Sequence, residues 1–499
     1  MALPLSAELW HLRIHEINDA PVNETGKYVL YWMIANRRTE WNFSLQRAAW
    51  WADQLKKPLV VFEPLRVGYP WASDRLHTFV LQGMLDNQTA LSDSPVVYYP
   101  YVEPQPDAAK GLLKALADDA CAVVTDDFPC FFLPRMVQAV GKRLKVKLEA
   151  IDSNGLLPMQ AADRDFPVAH SFRRFLQKEL PPHLEVFPNA NPMAKKSFPA
   201  TNHKLIADII QQWPSIDKQT LERPADFIAG LPIDHEVGPV DTPGGTLAAR
   251  KQMQWFLKEG LPRYADDRNN VESECASQLS PYLHFGHLSA HEVFHHLAKQ
   301  EKWEPNQLST KVTGSREGWW NMSPGAEAFL DEIITWRELG YNMCHLRDDY
   351  DQFSSLPDWA QKTLNEHKDD PREHVYTLEQ FEKAQTHDPL WNAAQRQLVQ
   401  DGRIHNYLRM LWGKKVLHWT NTPEYAAKIL IHLNNKYALD GRNPNSYSGI
   451  FWCLGRYDRA WGPEREIFGK IRYMTSDSAM RKLKLKSYIK QYNEGKLFD

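Results

Sequence analysis

Trp412 and Trp419 stand seven residues apart in the stretch LRMLWGKKVLHWT. On a helix that is two turns, so both indoles share one face, about 10 Å apart along the axis. Aromatic rings in such a row either pack a core or relay an electron to a bound redox cofactor. In FLDEIITWRELGYN, Glu332 and Trp336 are four residues apart and again share a helix face. A carboxyl beside an indole is either a core carboxylate bridged to a cation such as Arg337, or the lining of a pocket that sandwiches a flat ring and hydrogen-bonds its edge. In SQLSPYLHFGHLS, Ser277, Gln278 and Ser280 crowd the start of a helix. The free backbone N–H groups there make a seat for a phosphate, or the residues simply cap the helix. Tyr264 and Arg268, in YADDR, supply a hydroxyl and a cation suited to the same pyrophosphate.

His291-Glu292-Val293-Phe294-His295 fits HExxH, the spacing that gives two zinc ligands and a general base on a helix. The extended form of that motif fails, because Ala298 stands where glycine is required, and nothing singles out Glu301, Glu304 or Glu317 as a third ligand. The pattern is read as a half-exposed polar helix face, with no metal site.

Eighteen tryptophans in 499 residues are the compositional outlier. They suit a tryptophan-rich core or interface, or stacking on bases, flavin or sugar. The net charge of −3 hides an asymmetry. From Gly402 to Lys490 there are 17 Lys/Arg against 6 Asp/Glu, a local charge of +11, which leaves −14 on the rest. A basic segment interleaved with aromatics is the footprint of a phosphate backbone. Five scattered cysteines form no CxxC and fit a reducing cytosol without disulfides. No apolar run approaches the ~18 residues of a membrane helix, and the N-terminus lacks the pattern of a signal peptide.

The elements that must position these residues fall into two halves. Residues 1–25 read as an extension. Over 26–151, strands at Tyr28–Met33, Pro58–Phe62, Val96–Tyr101, Ala122–Thr125 and Lys147–Ile151 alternate with helices at Asn42–Lys56, His77–Leu91, Asp107–Asp118 and Leu133–Leu144. That alternation predicts a doubly wound, parallel, five-stranded sheet, an α/β domain. No GxGxxG follows the first strand and no GxxxxGK[ST] occurs, so a conventional dinucleotide or P-loop site is excluded. Residues 152–245 are a proline-rich linker, and 246–499 have helical periodicity, an all-α domain.

The combination LSPYLHFG, WREL, DPLWNA, LRMLWGKK, HLNNKYALDGR and EREIFGKIRYM resembles the photolyase/cryptochrome family, most closely the class II cyclobutane pyrimidine dimer (CPD) photolyases. The resemblance covers nearly the whole chain. It implies an antenna-type α/β domain and an FAD-binding helical domain. FAD would be held by Tyr264, Arg268, Ser277, Gln278, Leu279 and Ser280, with Arg409, Asp440 and Gly441 around the ring system and Asn434 near flavin N5. Trp412, Trp391 and Trp419 match the proximal, middle and distal electron-transfer tryptophans. Trp336 and Trp452 match the aromatics that clamp a flipped dimer, Glu332 the acid on its bases, and Met410 a neighbouring contact. Lys414, Lys415, Arg459, Lys470, Arg472 and Lys482 would hold DNA phosphates. The implied activity is light-dependent repair of UV-damaged DNA, in which photoexcited FADH⁻ lends an electron to the dimer. A further antenna chromophore such as 8-hydroxy-5-deazaflavin is expected of the family, with no motif in residues 26–151 to identify it. The resemblance also implies a monomer, cytoplasmic or nuclear.

Two departures stand out. Asn443 replaces the aspartate of the usual DGRDP, and Trp452–Asp458 (WCLGRYD) is one residue short, with Arg456-Tyr457 where a small residue and histidine are usual. A (6-4) photolyase and a signalling cryptochrome are the alternatives. The former is expected to need histidines in its lesion pocket. Against the latter, only the short stretch TSDSAMRKLKLKSYIKQYNEGKLFD follows the last motif.

Overall fold

A computed structural model of the chain describes residues 9–194 and 196–493. The first residues of the expected extension and the last six of KSYIKQYNEGKLFD lie outside them. The chain falls into two compact units. One comprises residues 1–161, 179–254 and 278–305, the other 162–178, 255–277 and 306–499.

In the first unit, apolar and β-branched runs form strands β2 (Tyr28–Trp32), β3 (Leu59–Leu65), β4 (Val97–Val102), β5 (Ala120–Asp126) and β6 (Leu148–Ile151), close to their expected places. The sheet order is β1-β6-β5-β2-β3-β4, and β2 through β6 run parallel to one another. The five-stranded expectation is corrected to six. The extra strand, β1 (Ile14–Glu16), comes from the segment read as an extension and pairs antiparallel with β6, Ile14 opposite Ile151. An edge strand three residues long carries too little alternation to be seen in a sequence.

Helices α1 (Phe43–Leu55), α2 (Asp74–Leu91), α3 (Leu112–Asp118) and α4 (Leu133–Gly141) connect the parallel strands. Asn42 caps α1 by accepting from the N–H groups of Ser44 and Leu45. Phe43, Leu45, Ala48, Ala49 and Ala52 then pack on Val29, Tyr31, Leu59 and Val61. In doubly wound sheets, ligands sit beyond the strand C-termini. Here the Asp126 carboxylate already accepts from the N–H groups of Ile34, Ala35 and Asn36, at 2.8, 2.8 and 3.0 Å. The amide cluster that would otherwise cradle a phosphate at the end of β2 is thus filled by the chain's own anion, in keeping with the missing nucleotide fingerprints. Much of the proline-rich stretch, 179–245, belongs to this unit.

The second unit is helical. Leu261–Asp267 (α5) follows a π-helical turn at Phe256–Gly260. In the first unit, the short α6 (Ser280–His284) and α7 (Ala290–Glu301) come next in the chain. The second unit resumes with α8 (Pro324–Leu330), a π-helical turn at Asp331–Trp336, and α9 (Arg337–Leu346). Then come α10 (Pro389–Asp401), α11 (Asn406–His418), α12 (Pro423–Tyr437) and α13 (Pro444–Trp452). Among the described residues no helix is long and apolar enough to cross a membrane.

Candidate functional site

The π-helical turn between α8 and α9 carries Glu332 and Trp336. Such turns recur at functional sites because they re-aim side chains that a regular helix would stack. Arg268, the residue that ends α5, donates from Nη1 to Glu332 Oε1 at 3.1 Å, so the carboxyl answers to Arg268 and not to the neighbouring Arg337. Arg337 stacks on Tyr341 instead. Burial pushes the Glu332 carboxyl up to about 6, with Arg268 pulling against it and Asp331 adding to it. Tyr264 packs edge-on against Phe256 and Phe329, and burial first, then the charge of Glu332, raises its phenol. Ser277 lies in the same unit. Gln278, Leu279 and Ser280 belong to the first unit, where Gln278 has left-handed backbone (φ 55°) and Ser280 opens a five-residue helix.

Arg409 on α11 pairs with Asp440 at 3.4 Å. Asn434, on the last turn of α12, is buried, its Nδ2 3.4 Å from Asn435 Oδ1. Gly441 is required by its surroundings: an added Cβ would stand 2.9 Å from the Asn434 carbonyl oxygen. Asn443, the first departure from the usual motif, caps α13 by accepting from the N–H of Asn445. It thus keeps the oxygen an aspartate would offer as a cap and gives up only the charge.

The aromatic row is longer than two residues. Trp391, on α10, lies parallel to Trp412, with ring centroids 6.4 Å apart at 5°, and 6.1 Å from Trp419 at 71°. Trp391 Nε1 donates to the Trp412 carbonyl, and Trp412 Nε1 to Gln395 Oε1, each at 3.0 Å. Asp388 caps α10 by accepting from the N–H groups of Leu390 and Trp391. The spatial order is therefore 412, 391, 419. The seven-residue spacing on α11 is bridged by a ring from another helix, and Trp419 caps α11 just past its last turn. All three indoles are 1–2% exposed.

Lys414 and Lys415, expected on phosphates, are buried, and their expectation is corrected. Lys414 Nζ donates to the Cys453 carbonyl at 2.7 Å and lies 4.8 Å from the Trp452 ring. Gly413 lets α11 come this close, since a Cβ there would lie 2.5 Å from Cys453 Sγ. Burial pulls the Lys414 ammonium down to about 8. Lys415 is 3.8 Å from Asp388 and sits over Trp419 at 5.1 Å. Both lysines act on tryptophans. The remaining cations are more open: Arg459, Lys470 and Lys482 are exposed, Lys470 pairing with Glu464 at 3.1 Å, and Arg472 is half-buried.

Trp336, Trp452 and Met410 are each half-buried. Arg472 reaches within 5.4 Å of the Trp452 ring and 4.1 Å of Trp461, its guanidinium held by Asp458 at 2.9 and 3.1 Å. Although Asp458 is partly buried, Arg472 holds its carboxyl below the usual range. In the shortened segment, Tyr457 takes left-handed backbone (φ 65°) and packs edge-on behind Trp336 at 6.4 Å. Arg456 is buried on the Tyr350 carbonyl and the Ser355 hydroxyl. Sequence reasoning missed this second role of the basic segment, which is to brace rings from behind. The signal was present in the apolar flanks of Lys414 and Lys415 (LWGKKVL).

The HExxH helix is α7, in the first unit. His291 is buried between Phe43 and Phe187, and Glu292 is buried on Arg250 Nε at 2.6 Å. Of these five residues only His295 is exposed, its ring tilted at 40° to Trp41 with centroids 5.0 Å apart. The expected half-exposed polar face is thus largely a buried ion pair. Among the described residues no three His, Cys, Asp or Glu side chains are grouped to hold a metal.

Two partly buried guanidiniums (Arg268, Arg409), a phenol and a buried amide at Asn434 are the donor set that a dinucleotide diphosphate and a flavin edge need, and in this respect the residues present fit FAD.

The chain is 36% identical over 478 residues to a deoxyribodipyrimidine photo-lyase of Methanothermobacter thermautotrophicus, covering 96% of this chain and 97% of that one. It is 33% identical over 496 residues to the enzyme of the same name from Arabidopsis thaliana, covering 98% of this chain and 94% of the relative. Among solved structures, a bacterial class III photolyase from Agrobacterium tumefaciens superposes with a TM-score of 0.65 at 16% identity, over 94% of this chain and 86% of that one. No family model matches the chain.

Proposed function

Because the chain belongs to the deoxyribodipyrimidine photo-lyase family, we propose that this photolyase repairs cyclobutane pyrimidine dimers in DNA, in the manner of the class II enzymes, with FAD as its cofactor. The observation that carries the lesion reading is the π-helical turn, which carries both Glu332, its carboxyl pushed up to about 6, and the half-buried Trp336. A poorly stacked and poorly paired lesion with carbonyl and imide groups at its edge suits an aromatic face and a carboxyl that titrates about one unit below neutral pH, able to give or take a hydrogen bond.

Each residue then has a task. Arg268 and Arg409 would offer guanidinium groups to the diphosphate, with Tyr264 and Ser277 completing the cradle. Asp440 orients Arg409, Gly441 keeps the loop close, and Asn434 turns its amide to the ring edge. Bound reduced FAD supplies a light-driven electron, which the ring-opening of the dimer returns. Trp336 and Trp452 take the faces of the extruded bases, Met410 packs beside them, and Glu332 hydrogen-bonds their carbonyl edge. Lys414 and Arg472 flank Trp452 as cations, which raises the cost of oxidising that ring and keeps it a passive wall. Arg459, Lys470, Arg472 and Lys482 bind phosphates. Trp412, Trp391 and Trp419 form a relay that restores the reduced cofactor. Net redox balance is zero over a repair cycle, so no nicotinamide site is required.

The test is repair of defined oligonucleotides, one bearing a CPD and one a (6-4) product, by photoreduced protein in blue light. Repair of the CPD substrate alone is expected. Repair of the (6-4) substrate alone assigns the other lesion, and DNA binding without repair of either rejects the enzyme reading.

A further inference from the structure

The relay just described stops in the protein interior, because Trp419 is only 2% exposed. Its ring is met by Tyr376 at 5.7 Å and 82°, by His387 at 5.0 Å, and by the Lys415 ammonium at 5.1 Å. Tyr376 is half-buried and so reaches solvent. Its backbone N–H donates to the Trp419 carbonyl at 3.1 Å, which ties the two residues together. Its phenolic oxygen is 2.7 Å from His387 Nδ1 and accepts from the backbone N–H of His387 at 3.0 Å. In the tautomer that carries the ring proton on Nε2, the hydroxyl donates to Nδ1.

We propose that Tyr376 is the terminal electron donor of the tryptophan relay, giving its electron to Trp419 and its phenolic proton to His387. The inference rests on the relay reading of Trp412, Trp391 and Trp419. The oxidant is the indole radical cation left on Trp419 when light drives an electron inward along the relay. One electron passes from Tyr376 to Trp419, and one proton passes from the Tyr376 hydroxyl to His387 Nδ1. The products are a neutral tyrosyl radical, a neutral Trp419 and a His387 imidazolium. A soluble thiol then reduces the tyrosyl radical, and the proton returns from His387.

The step moves the positive charge off the buried Trp419 ring, which has the Lys415 ammonium 5.1 Å away, and onto His387, where Asp388 attracts it against His374 and Lys415. His387 suits the role of acceptor. Partial desolvation, then the neighbouring His374, lowers its affinity for a proton, against the pull of Asp388, which favours the neutral ring that can accept one. His374 stacks on His387 with centroids 3.9 Å apart and holds the ring in place. Phe381, which packs against both Tyr376 and Trp391, fixes the phenol from the other side.

The experiment is freeze-quench electron paramagnetic resonance on the flavin-loaded full-length protein after a light pulse, with and without ring-deuterated tyrosine. A tyrosyl signal that narrows on deuteration is expected. Its formation should slow severalfold in deuterated water, and Tyr376→Phe should replace it with a tryptophanyl signal at least tenfold shorter-lived. His387→Gln should keep the phenol and lower the tyrosyl yield severalfold. A parent protein that shows only tryptophanyl radical, or a tyrosyl signal unchanged in Tyr376→Phe, overturns the proposal. Trp412→Phe separates the two readings. If it leaves the radical yield intact, the relay itself is wrong. If it abolishes the signal while Tyr376→Phe changes nothing, only the terminal donor is wrong. The deuteration measurement needs no variant, so misfolding of a mutant cannot mask the result.

Discussion

Lys414 offers a measurement that needs neither DNA nor light. Its side chain is fully buried against Trp452 and the Cys453 carbonyl, and burial lowers its pKa from 10.5 to about 8. Below pH 8 the ammonium is charged in both folded and unfolded chains, and the folded state bears the full cost of burying it. Between pH 8 and 10.5 the folded chain has released the proton while the unfolded chain still holds it. Stability attributable to this residue therefore rises with pH across that window. At ~1.4 kcal/mol per pKa unit, the relief amounts to about 3 kcal/mol. Lys414→Met keeps the stem and removes the charge, giving up one hydrogen bond to the Cys453 carbonyl worth about 1 kcal/mol. The assay is urea unfolding of parent and variant in parallel from pH 7.5 to 10.5. Other groups that titrate in this range, tyrosines included, cancel in the difference. The advantage of the variant should shrink by about 3 kcal/mol over the series. Parallel curves would refute the assignment of a buried, depressed ammonium, and with it the cation behind Trp452.

Three further outcomes follow from the site. Trp412→Phe should slow photoreduction of the oxidised cofactor at least tenfold while enzyme reduced beforehand still repairs. Equal photoreduction rates would remove Trp412 from the relay. Arg459→Ala should lower the slope of log affinity against log salt by about one for DNA binding, since one exposed phosphate contact is lost. Lys414→Met should leave that slope unchanged, and a drop there would restore the phosphate role that burial argues against. Glu332→Gln keeps a hydrogen-bonding group on the π-helical turn but abolishes its titration near 6. Repair yield should fall severalfold with flavin content maintained, and an unaltered yield would dissociate Glu332 from the lesion.

The parallel strands were legible because each is a run of apolar, β-branched or aromatic residues bounded by polar turns. Strand β1 was not, because Ile14-His15-Glu16 is too short and too polar to stand out, and only pairing with Ile151 makes it a strand. Spacing along α11 showed that Trp412 and Trp419 share a face, but no local pattern places Trp391 between them, since it comes from another helix. Charge counting correctly marked 402–490 as basic, yet could not separate Lys414 and Lys415, sunk among Leu411, Trp412, Val416 and Leu417, from the exposed Arg459 and Lys470. A helix apolar on nearly all sides is buried all round, and a lysine within it goes inside with its neighbours. The ion pair of Glu292 with Arg250 joins residues 42 apart in sequence, a separation at which motif spacing says nothing.

The central claim is light-driven reversal of a pyrimidine dimer. It is met most directly by mixing the photoreduced protein with an oligonucleotide carrying one defined thymine CPD and following the return of intact thymines by chromatography, in blue light and in darkness. Restoration in light and none in darkness is the predicted result. A flavin-loaded protein that binds the oligonucleotide and leaves the dimer untouched under illumination would contradict it.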